Sequence, residues 1–232
     1  MAGHDITIHS PDGDFTGYLA TPASGSGPGV VVIQEIFGVN DVMRQITDMF
    51  AAAGYVALSP DLFWRQEPGI QITDKSEEEW QKAFQLYQGF DVDKGVEDIQ
   101  ATITTLRQQS GCSGKIGATG YCLGGLLSYL TATRTDADCA VGYYGVGIES
   151  KLDEAADMQG ALMLHIAEED GFVPKEAQAQ IKSALAGNAK VTLHSYPGMD
   201  HAFCRYGGEH YDEANANTAN QRTLNFFKTH LS

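Results

Sequence analysis

Short apolar strands alternate with amphipathic helices along most of this chain, and this alternation limits its possible folds more than any other feature. Apolar runs such as residues 30–34 and 161–166 are typical of strands buried on both faces. Residues 92–106 place apolar side chains at steps of three and four, which predicts a helix packed on a sheet. The fold class is therefore α/β, with a mostly parallel, doubly wound sheet of about eight strands flanked by helices.

The other elements follow from the same patterns. The turn signal Pro11-Asp12-Gly13-Asp14 predicts an opening antiparallel hairpin. Strands are also predicted at residues 55–58, 115–119, 139–144 and 191–196, and helices at residues 41–53, 123–130, 176–185 and 215–230. Asn40 is expected to cap the helix at residues 41–53, and Gly54 to end it.

Length favours a single domain over residues 1–232, because α/β folds of this size commonly remain undivided. Residues 61–90 have the least regular pattern and contain both tryptophans, Trp64 and Trp80. We expect this excursion to form a lid or pocket wall. A helical excursion that fills a gap in the core is the alternative.

Composition limits the possible partners. Acidic residues outnumber basic ones by 30 to 15, and the net charge of −15 argues against binding to nucleic acid or an anionic membrane. The four cysteines form no C-x-x-C pair, so neither a zinc site nor a disulfide framework is indicated. Without a visible targeting signal or membrane span, we expect a cytoplasmic monomer that acts on a small molecule and needs no cofactor.

The stretch Gly120-Tyr121-Cys122-Leu123-Gly124 has the pattern of a nucleophile elbow in which cysteine replaces the usual serine. An elbow is a sharp turn from a strand into a helix, and its strained central residue needs small neighbours two positions away on each side. Gly120 and Gly124 meet that requirement. Cys122 is therefore the candidate nucleophile, and a buried structural cysteine is the alternative.

Two later loops supply a candidate acid and a candidate base. The loop Glu168-Glu169-Asp170-Gly171 follows one predicted strand, and His201 follows the next strand along the chain. Nucleophile, acid, histidine is the order of the α/β-hydrolase triad, and open α/β sheets bind ligands at these strand ends. We therefore predict an α/β-hydrolase fold that uses Asp170 and His201, with Glu168 and Glu169 as rival acids. Taken singly, each of these loop residues would be read as solvated surface.

These motifs closely resemble those of the dienelactone hydrolase family, cysteine-based members of the α/β-hydrolase superfamily. The resemblance runs nearly end to end and includes Gln34-Glu35-Ile36-Phe37-Gly38-Val39-Asn40, Ser59-Pro60-Asp61-Leu62, Val141-Gly142-Tyr143-Tyr144-Gly145-Val146-Gly147 and His201-Ala202-Phe203. Several motifs in the correct order are far more specific than any one of them.

The resemblance implies a role for each candidate. Cys122 would be the nucleophile, His201 its base partner, and Asp170 the residue that orients the imidazole. Glu35 would pair with the resting thiol and move when substrate enters, so that the thiolate forms only then and is protected from oxidation. A plain surface or strand-end carboxylate is the alternative for Glu35.

The expected reaction is attack of a thiolate on a lactone or ester carbonyl, collapse to a thioester, and attack by water assisted by His201. The oxyanion needs donors that already point at it. The resemblance and the general elbow rule assign these to the backbone amides of Leu123 and Ile36.

The predicted substrate site departs from the family pattern. Members that cleave dienelactone hold its carboxylate between two arginines, of which one matches Arg205, whereas Trp80 occupies the position of the other. Lys82 or Arg65 is a possible substitute, although lysine is a poorer bidentate partner. Four residues are predicted to bind substrate: Arg205, Trp80, Phe37 and Tyr144.

Three functions remain open at this point. A hydrolase for a dienelactone-like substrate is the first, and a general carboxylesterase or thioesterase for neutral or aromatic acyl esters is the second. The third is a noncatalytic ligand-binding or redox-responsive protein in which Cys122 senses oxidants. A sensor would not need an ordered His201 and Asp170, so the complete set of three residues argues against it.

Overall fold

A computed structural model describes residues 3–232 and contains one eight-stranded sheet. In chain order the strands are β1 His4–Ser10, β2 Gly13–Ala20, β3 Gly27–Ile33, β4 Val56–Pro60, β5 Cys112–Tyr121, β6 Cys139–Tyr143, β7 Ala161–Ala167 and β8 Val191–Tyr196. Across the sheet their order is β1-β2-β4-β3-β5-β6-β7-β8. β2 pairs antiparallel with β1 and β4, whereas β3 with β4, β6 with β7, and β7 with β8 are parallel. The predicted hairpin and mostly parallel sheet are confirmed.

Six α-helices occur among the described residues: α1 Asp41–Ala52, α2 Glu77–Gln88, α3 Val92–Arg107, α4 Leu123–Arg134, α5 Lys175–Leu185 and α6 Glu213–His230. A 3₁₀ segment spans Ile148–Asp157. The structure divides into two compact units, one up to Ala118 and one from Thr119 onward. The single domain over residues 1–232 stays a prediction.

In the first unit, local sequence explains where α1 begins. Asn40 accepts a hydrogen bond from the Met43 amide at 3.2 Å, which satisfies one of the unpaired donors at the helix start, as predicted. The apolar stripe of α3 is buried at Val96, Ile99, Ile103 and Leu106. This is the face that the periodicity assigned to the core.

The excursion at residues 61–90 contains α2, which was not among the predicted helices. Its start carries a signal that was available: Ser76 accepts a hydrogen bond from the Glu79 amide at 3.2 Å, the first half of a capping box. The excursion is tied to the loop after β3, because the Ile72 amide donates to the Phe37 carbonyl at 3.1 Å. At Gly38 a side chain would lie 1.9 Å from the Ile70 carbonyl oxygen, so this approach requires glycine.

In the second unit, α4 is buried over Leu123–Thr133 and lies very close to the end of β6. A Cβ atom on Gly125 would come within 2.5 Å of the Gly145 Cα atom, so glycine at both positions allows the two backbones to touch. No helix in residues 3–232 combines the length and apolar character needed to cross a membrane. None of the four cysteines, Cys112, Cys122, Cys139 and Cys204, forms a disulfide bond in the part of the chain that the structure describes.

Candidate active site

Cys122 is the only residue between the end of β5 and the start of α4, and its backbone is strained. Its φ and ψ angles are 56° and −113°, a region that side chains rarely occupy. Gly120 makes the turn possible, because a Cβ atom there would lie 2.1 Å from the Gly124 carbonyl oxygen. The strand, turn and helix of a nucleophile elbow are therefore present, with a buried cysteine at the turn.

His201 and Asp170 form a buried pair. The imidazole Nδ1 lies 2.9 Å from Asp170 Oδ2 and 3.1 Å from Oδ1. Because a carboxylate only accepts, Nδ1 carries the proton and donates it, which leaves Nε2 for the hydrogen bond with the Cys122 side chain. The structure thus brings Cys122, His201 and Asp170 into one hydrogen-bonded line.

Charge around the imidazole explains its titration. Burial disfavours the charged form of His201, but negative charge on the Cys122 sulfur and the Asp170 carboxylate outweighs it and raises the pKa of His201 to about 10. A Cys122 thiolate, once formed, and a His201 imidazolium would therefore stabilise each other in this site. Such a pair is suited to nucleophilic attack followed by proton donation.

The rival acids have other partners. The Glu169 carboxylate lies 2.7 Å from Lys175 Nζ, and Glu168 lies 3.7 Å from Lys182 Nζ. Asp170 alone of the three contacts the imidazole in the described hydrogen bonds. It is also held by the Phe172 amide, which donates to Asp170 Oδ1 at 2.8 Å.

Two aromatic rings enclose His201. The Tyr144 ring lies 5.1 Å from the imidazole centre and the Phe172 ring 4.9 Å, both edge-on. Tyr144 is buried, whereas Phe172 is 48% exposed. Tyr144 was predicted to bind substrate, and that role stays a prediction. Phe172 was not predicted, because nothing in Asp170-Gly171-Phe172 shows which way the ring turns. Phe172 therefore joins the candidates for contact with substrate.

Backbone strain is concentrated at this site. Among residues 3–232, three residues other than glycine have positive φ angles: Cys122 at 56°, Tyr144 at 38° and Ala202 at 63°. Cys122 is the elbow residue, Tyr144 packs on His201, and Ala202 directly follows His201 in the chain. Each such residue costs about 1–3 kcal/mol and persists only where its surroundings enforce it, which is typical of active sites.

The predicted oxyanion donors lie at the start of α4 and in the loop after β3. Leu123 is the first residue of α4, so its amide has no partner within the helix. Ile36 lies in the loop after β3 and is buried. Their role as oxyanion donors stays a prediction.

Besides Ile36, three predicted site residues belong to the first unit. Glu35 is a buried carboxylate just after β3, and its carbonyl accepts a hydrogen bond from the Gln34 side chain at 3.2 Å. Phe37 and Trp80 meet edge to face at 5.1 Å, and Trp80 stacks on Phe84 at 5.4 Å. The excursion thus places a cluster of aromatic rings beside the loop that carries Glu35. Its role as a lid or pocket wall stays a prediction.

The cations proposed to replace the missing arginine already have acidic partners. Arg65 pairs with Asp12 at 2.6 Å and also with Asp98, and Lys82 pairs with Glu67. A substrate carboxylate would have to compete with these partners. Arg205 is buried in the same loop as His201, and its amide donates to the Ala202 carbonyl at 2.9 Å.

Within residues 3–232, no group of three or more histidine, cysteine or acidic side chains could hold a metal ion.

Cys122, Asp170 and His201 follow one another in the chain, and each lies just after a strand of the sheet. This order and position define the chain as an α/β hydrolase. The model of the dienelactone hydrolase family matches residues 15–231. The chain belongs to that family and is a hydrolase of ester or lactone bonds.

Similar proteins cover nearly the whole chain. A protein of Azospirillum brasilense named "Putative carboxymethylenebutenolidase" is 49% identical over 237 residues, which cover 98% of this chain and 99% of that protein. A carboxymethylenebutenolidase of Pseudomonas putida is 38% identical over 227 residues, or 97% and 96% of the two chains. The crystal structure "Putative Dienelactone Hydrolase from Klebsiella pneumoniae" has a TM-score of 0.86 at 27% identity and covers 97% of this chain and 98% of that one.

Proposed function

We propose that this hydrolase cleaves a lactone or ester through a Cys122 thiolate and a thioester acyl-enzyme. The supporting observation is the hydrogen-bonded line from Cys122 through His201 to Asp170, with the sulfur in a strained elbow. A cysteine sensor of oxidants would not need this line. The arrangement of the three residues therefore favours catalysis over sensing.

In the first step the thiolate attacks the carbonyl carbon, a C–S bond forms, and the carbonyl electron pair moves to oxygen. The backbone amides of Leu123 and Ile36 are proposed to stabilise that oxyanion. The tetrahedral intermediate then collapses and the C–O bond breaks. The leaving oxygen takes the Nε2 proton of His201, and in a lactone it remains attached to the acyl group.

In the second step water attacks the thioester carbonyl. The neutral His201 accepts a proton from the water, and Asp170 stabilises the imidazolium that forms. The C–S bond breaks, the sulfur leaves as a thiolate, and the acid product is released. Glu35 is proposed to pair with the resting thiol before substrate enters, by resemblance to the family. When substrate enters, the thiol proton passes to His201 Nε2, which gives the thiolate and imidazolium of the first step, and it returns to sulfur after the product leaves.

A dienelactone-like substrate is the first candidate, and Arg205 is proposed to bind its carboxylate. A specific observation favours a second candidate, a neutral or aromatic acyl ester. Trp80 packs on Phe37 where the family carries an arginine, and Arg65 and Lys82 already pair with acids. An apolar wall binds an aromatic ester without the cost of desolvating a charge.

The test compares kcat/KM for cis- and trans-dienelactone with that for p-nitrophenyl acetate. Cys122→Ala should abolish turnover of every substrate, whereas Cys204→Ala, which removes another buried thiol, should retain it. A strong preference for the dienelactones would support a carboxylate site, and cleavage of the neutral ester alone would support the second candidate. Undiminished turnover in Cys122→Ala would exclude the proposed nucleophile.

The thioester can be observed directly. His201→Gln removes the base for deacylation, so p-nitrophenyl acetate should leave one acetyl group on the protein, detected by intact mass and mapped to the peptide that contains Cys122. Cys122→Ala should carry none there. An acetyl group mapped to a different nucleophile would rule out the thioester.

We also propose that the protein is a monomer in the cytoplasm, as its sequence predicts. Light scattering after size exclusion and fractionation of cells would check the two parts of this proposal separately.

A further inference from the structure

We infer that Asp200 is a positioning residue that holds the loop of the acid and the loop of the histidine together. The inference rests on the proposed function, in which Asp170 orients the His201 imidazole. It concerns a side chain that has no direct contact with either of these two side chains among the described hydrogen bonds and ion pairs.

One carboxylate oxygen joins the two loops. Asp200 Oδ1 accepts from the Gly171 amide at 2.9 Å and from the His201 amide at 2.6 Å. Gly171 is the residue after Asp170, so the two amides belong to, or directly adjoin, the two members of the buried pair. A shift of Asp200 would therefore change the separation of Asp170 and His201.

The loops need such a link because they leave different strands. The acid loop follows β7 and the histidine loop follows β8. Among the described backbone hydrogen bonds, one joins the loops beyond the ends of these strands, from the Glu169 amide to the Met199 carbonyl at 2.8 Å, and the Glu168 amide donates to the carbonyl of Tyr196, the last residue of β8, at 3.1 Å. Asp200 adds two more hydrogen bonds, to the amides of Gly171 and His201, next to the Asp170–His201 pair.

The peptide groups of His201 are held on both sides. His210 Nδ1 donates to the His201 carbonyl at 3.1 Å, while Asp200 accepts from the His201 amide. His210 Nε2 lies 3.8 Å from Asp200 Oδ2, so the two side chains adjoin. Ala202 follows with its positive φ of 63°. A strained backbone persists only where its neighbours enforce it, and this clamp does so on the His201 side.

The charge of Asp200 fits this role. Burial acts to raise its pKa, but the Gly171 and His201 amides, together with the charges of His210 and His201, outweigh burial and lower the pKa below its usual value. Asp200 is therefore ionised at neutral pH. Hydrogen bonds to an ionised acceptor are stronger than those to a neutral one, so both the oxygen and the charge should matter.

The test uses two substitutions and two matched controls. Asp200→Ala removes the acceptor, and kcat should fall about 30-fold with KM within about twofold, because a displacement near 1 Å costs up to about 100-fold in rate. Asp200→Asn keeps an oxygen acceptor without the charge, and its kcat should lie between those of wild type and Asp200→Ala. Glu209→Ala and Glu209→Gln change an exposed carboxylate of the same loop and should leave kcat unchanged.

Hydrogen exchange supplies a readout that does not depend on turnover. The Gly171 and His201 amides should exchange faster in Asp200→Ala, and less so in Asp200→Asn, while the β7 and β8 amides keep their protection. If Asp200→Ala does not fold, kcat and amide exchange are compared between Asp200→Asn and Glu209→Gln instead.

Two results would overturn the inference. One is a kcat equal to that of the Glu209 controls, and the other is a lowered kcat without faster exchange at either amide. Asp170→Asn separates the inference from the proposed function. If Asp170→Asn loses activity and Asp200→Ala does not, only the inference fails, whereas full activity in Asp170→Asn would overturn both.

Discussion

His201 Nδ1 and Asp170 Oδ2 lie 2.9 Å apart, and the two side chains are only 5% and 1% exposed. A pair so well shielded from water interacts more strongly than the same pair at the surface. The contact fixes which imidazole nitrogen carries the proton, and therefore which nitrogen faces Cys122.

Asp170→Asn should lower kcat by about 10³–10⁴-fold with little change in KM. The amide can donate to Nδ1 and so favours the wrong tautomer of His201. Steady-state kinetics on p-nitrophenyl acetate measure the effect, and a thermal melt checks that the variant is folded. Glu169→Gln is the matched control and should keep full activity. If Glu169→Gln lost activity instead, Glu169 rather than Asp170 would be the acid that orients His201.

Cys122→Ala should lower the pKa of His201 from about 10. The substitution removes a negative charge that favours the imidazolium, while burial, which disfavours it, remains. Below its pKa His201 is charged, so the pH at which the ring titrates should move down. NMR titration of the imidazole Cε1 proton measures this, with His201→Gln to assign the signal. Cys204→Ala should leave the pKa unchanged, and an equal fall in both variants would contradict the pairing with Cys122.

Trp80→Arg should shift specificity toward a substrate that carries a carboxylate. A hydrogen bond to a charged group contributes about 1.5–3 kcal/mol, so the ratio of kcat/KM for dienelactone over p-nitrophenyl acetate should rise about tenfold or more. Trp80→Phe keeps an aromatic ring without adding a charge and should leave the ratio near that of wild type. An unchanged ratio in Trp80→Arg would show that position 80 does not reach the substrate.

Gly120→Ala should destabilise the protein by about 3 kcal/mol, the upper end of overpacking costs. Its Cβ atom would lie 2.1 Å from the Gly124 carbonyl oxygen, and neither backbone segment can move without disturbing the elbow. Gly187→Ala is the control, since Gly187 has a φ of 82° and no heavy atom within 4 Å of an added Cβ. Backbone strain alone should cost about 1–2 kcal/mol there and leave kcat intact. Chemical denaturation gives the free energy of unfolding of Gly120→Ala and Gly187→Ala, and steady-state kinetics give their kcat. Equal effects in the two variants would show that the elbow tolerates a methyl group.

The parts of the fold that could be predicted are those with strong local signals. The buried strands β3 and β7, the stripe of α3 and the cap at Asn40 all follow from neighbouring residues. β5 begins at Cys112, three residues before the predicted start, because its first residues are partly or fully exposed and carry no apolar pattern. α2 was missed because its first turn is acidic and its buried face is narrow.

At the site, sequence pointed to the loops but not to every contact within them. Cys122 could be placed at a turn because Gly120 and Gly124 leave few other conformations. The choice among Glu168, Glu169 and Asp170 needed the structure, since all three are acids within one loop. Phe172 and Asp200 gave no sequence signal of their own.

Sequence alone determined the alternation of elements, the elbow and the order of nucleophile, acid and histidine, because these depend on periodicity and on local steric exclusion. Tertiary structure decided that Asp170 reaches His201, that Asp200 bonds both loops and that Arg65 is held by acids. Asp170 and His201 are 31 positions apart in the chain. Contacts at such a separation depend on how β7 and β8 pair and on where their loops turn, and no local pattern specifies that.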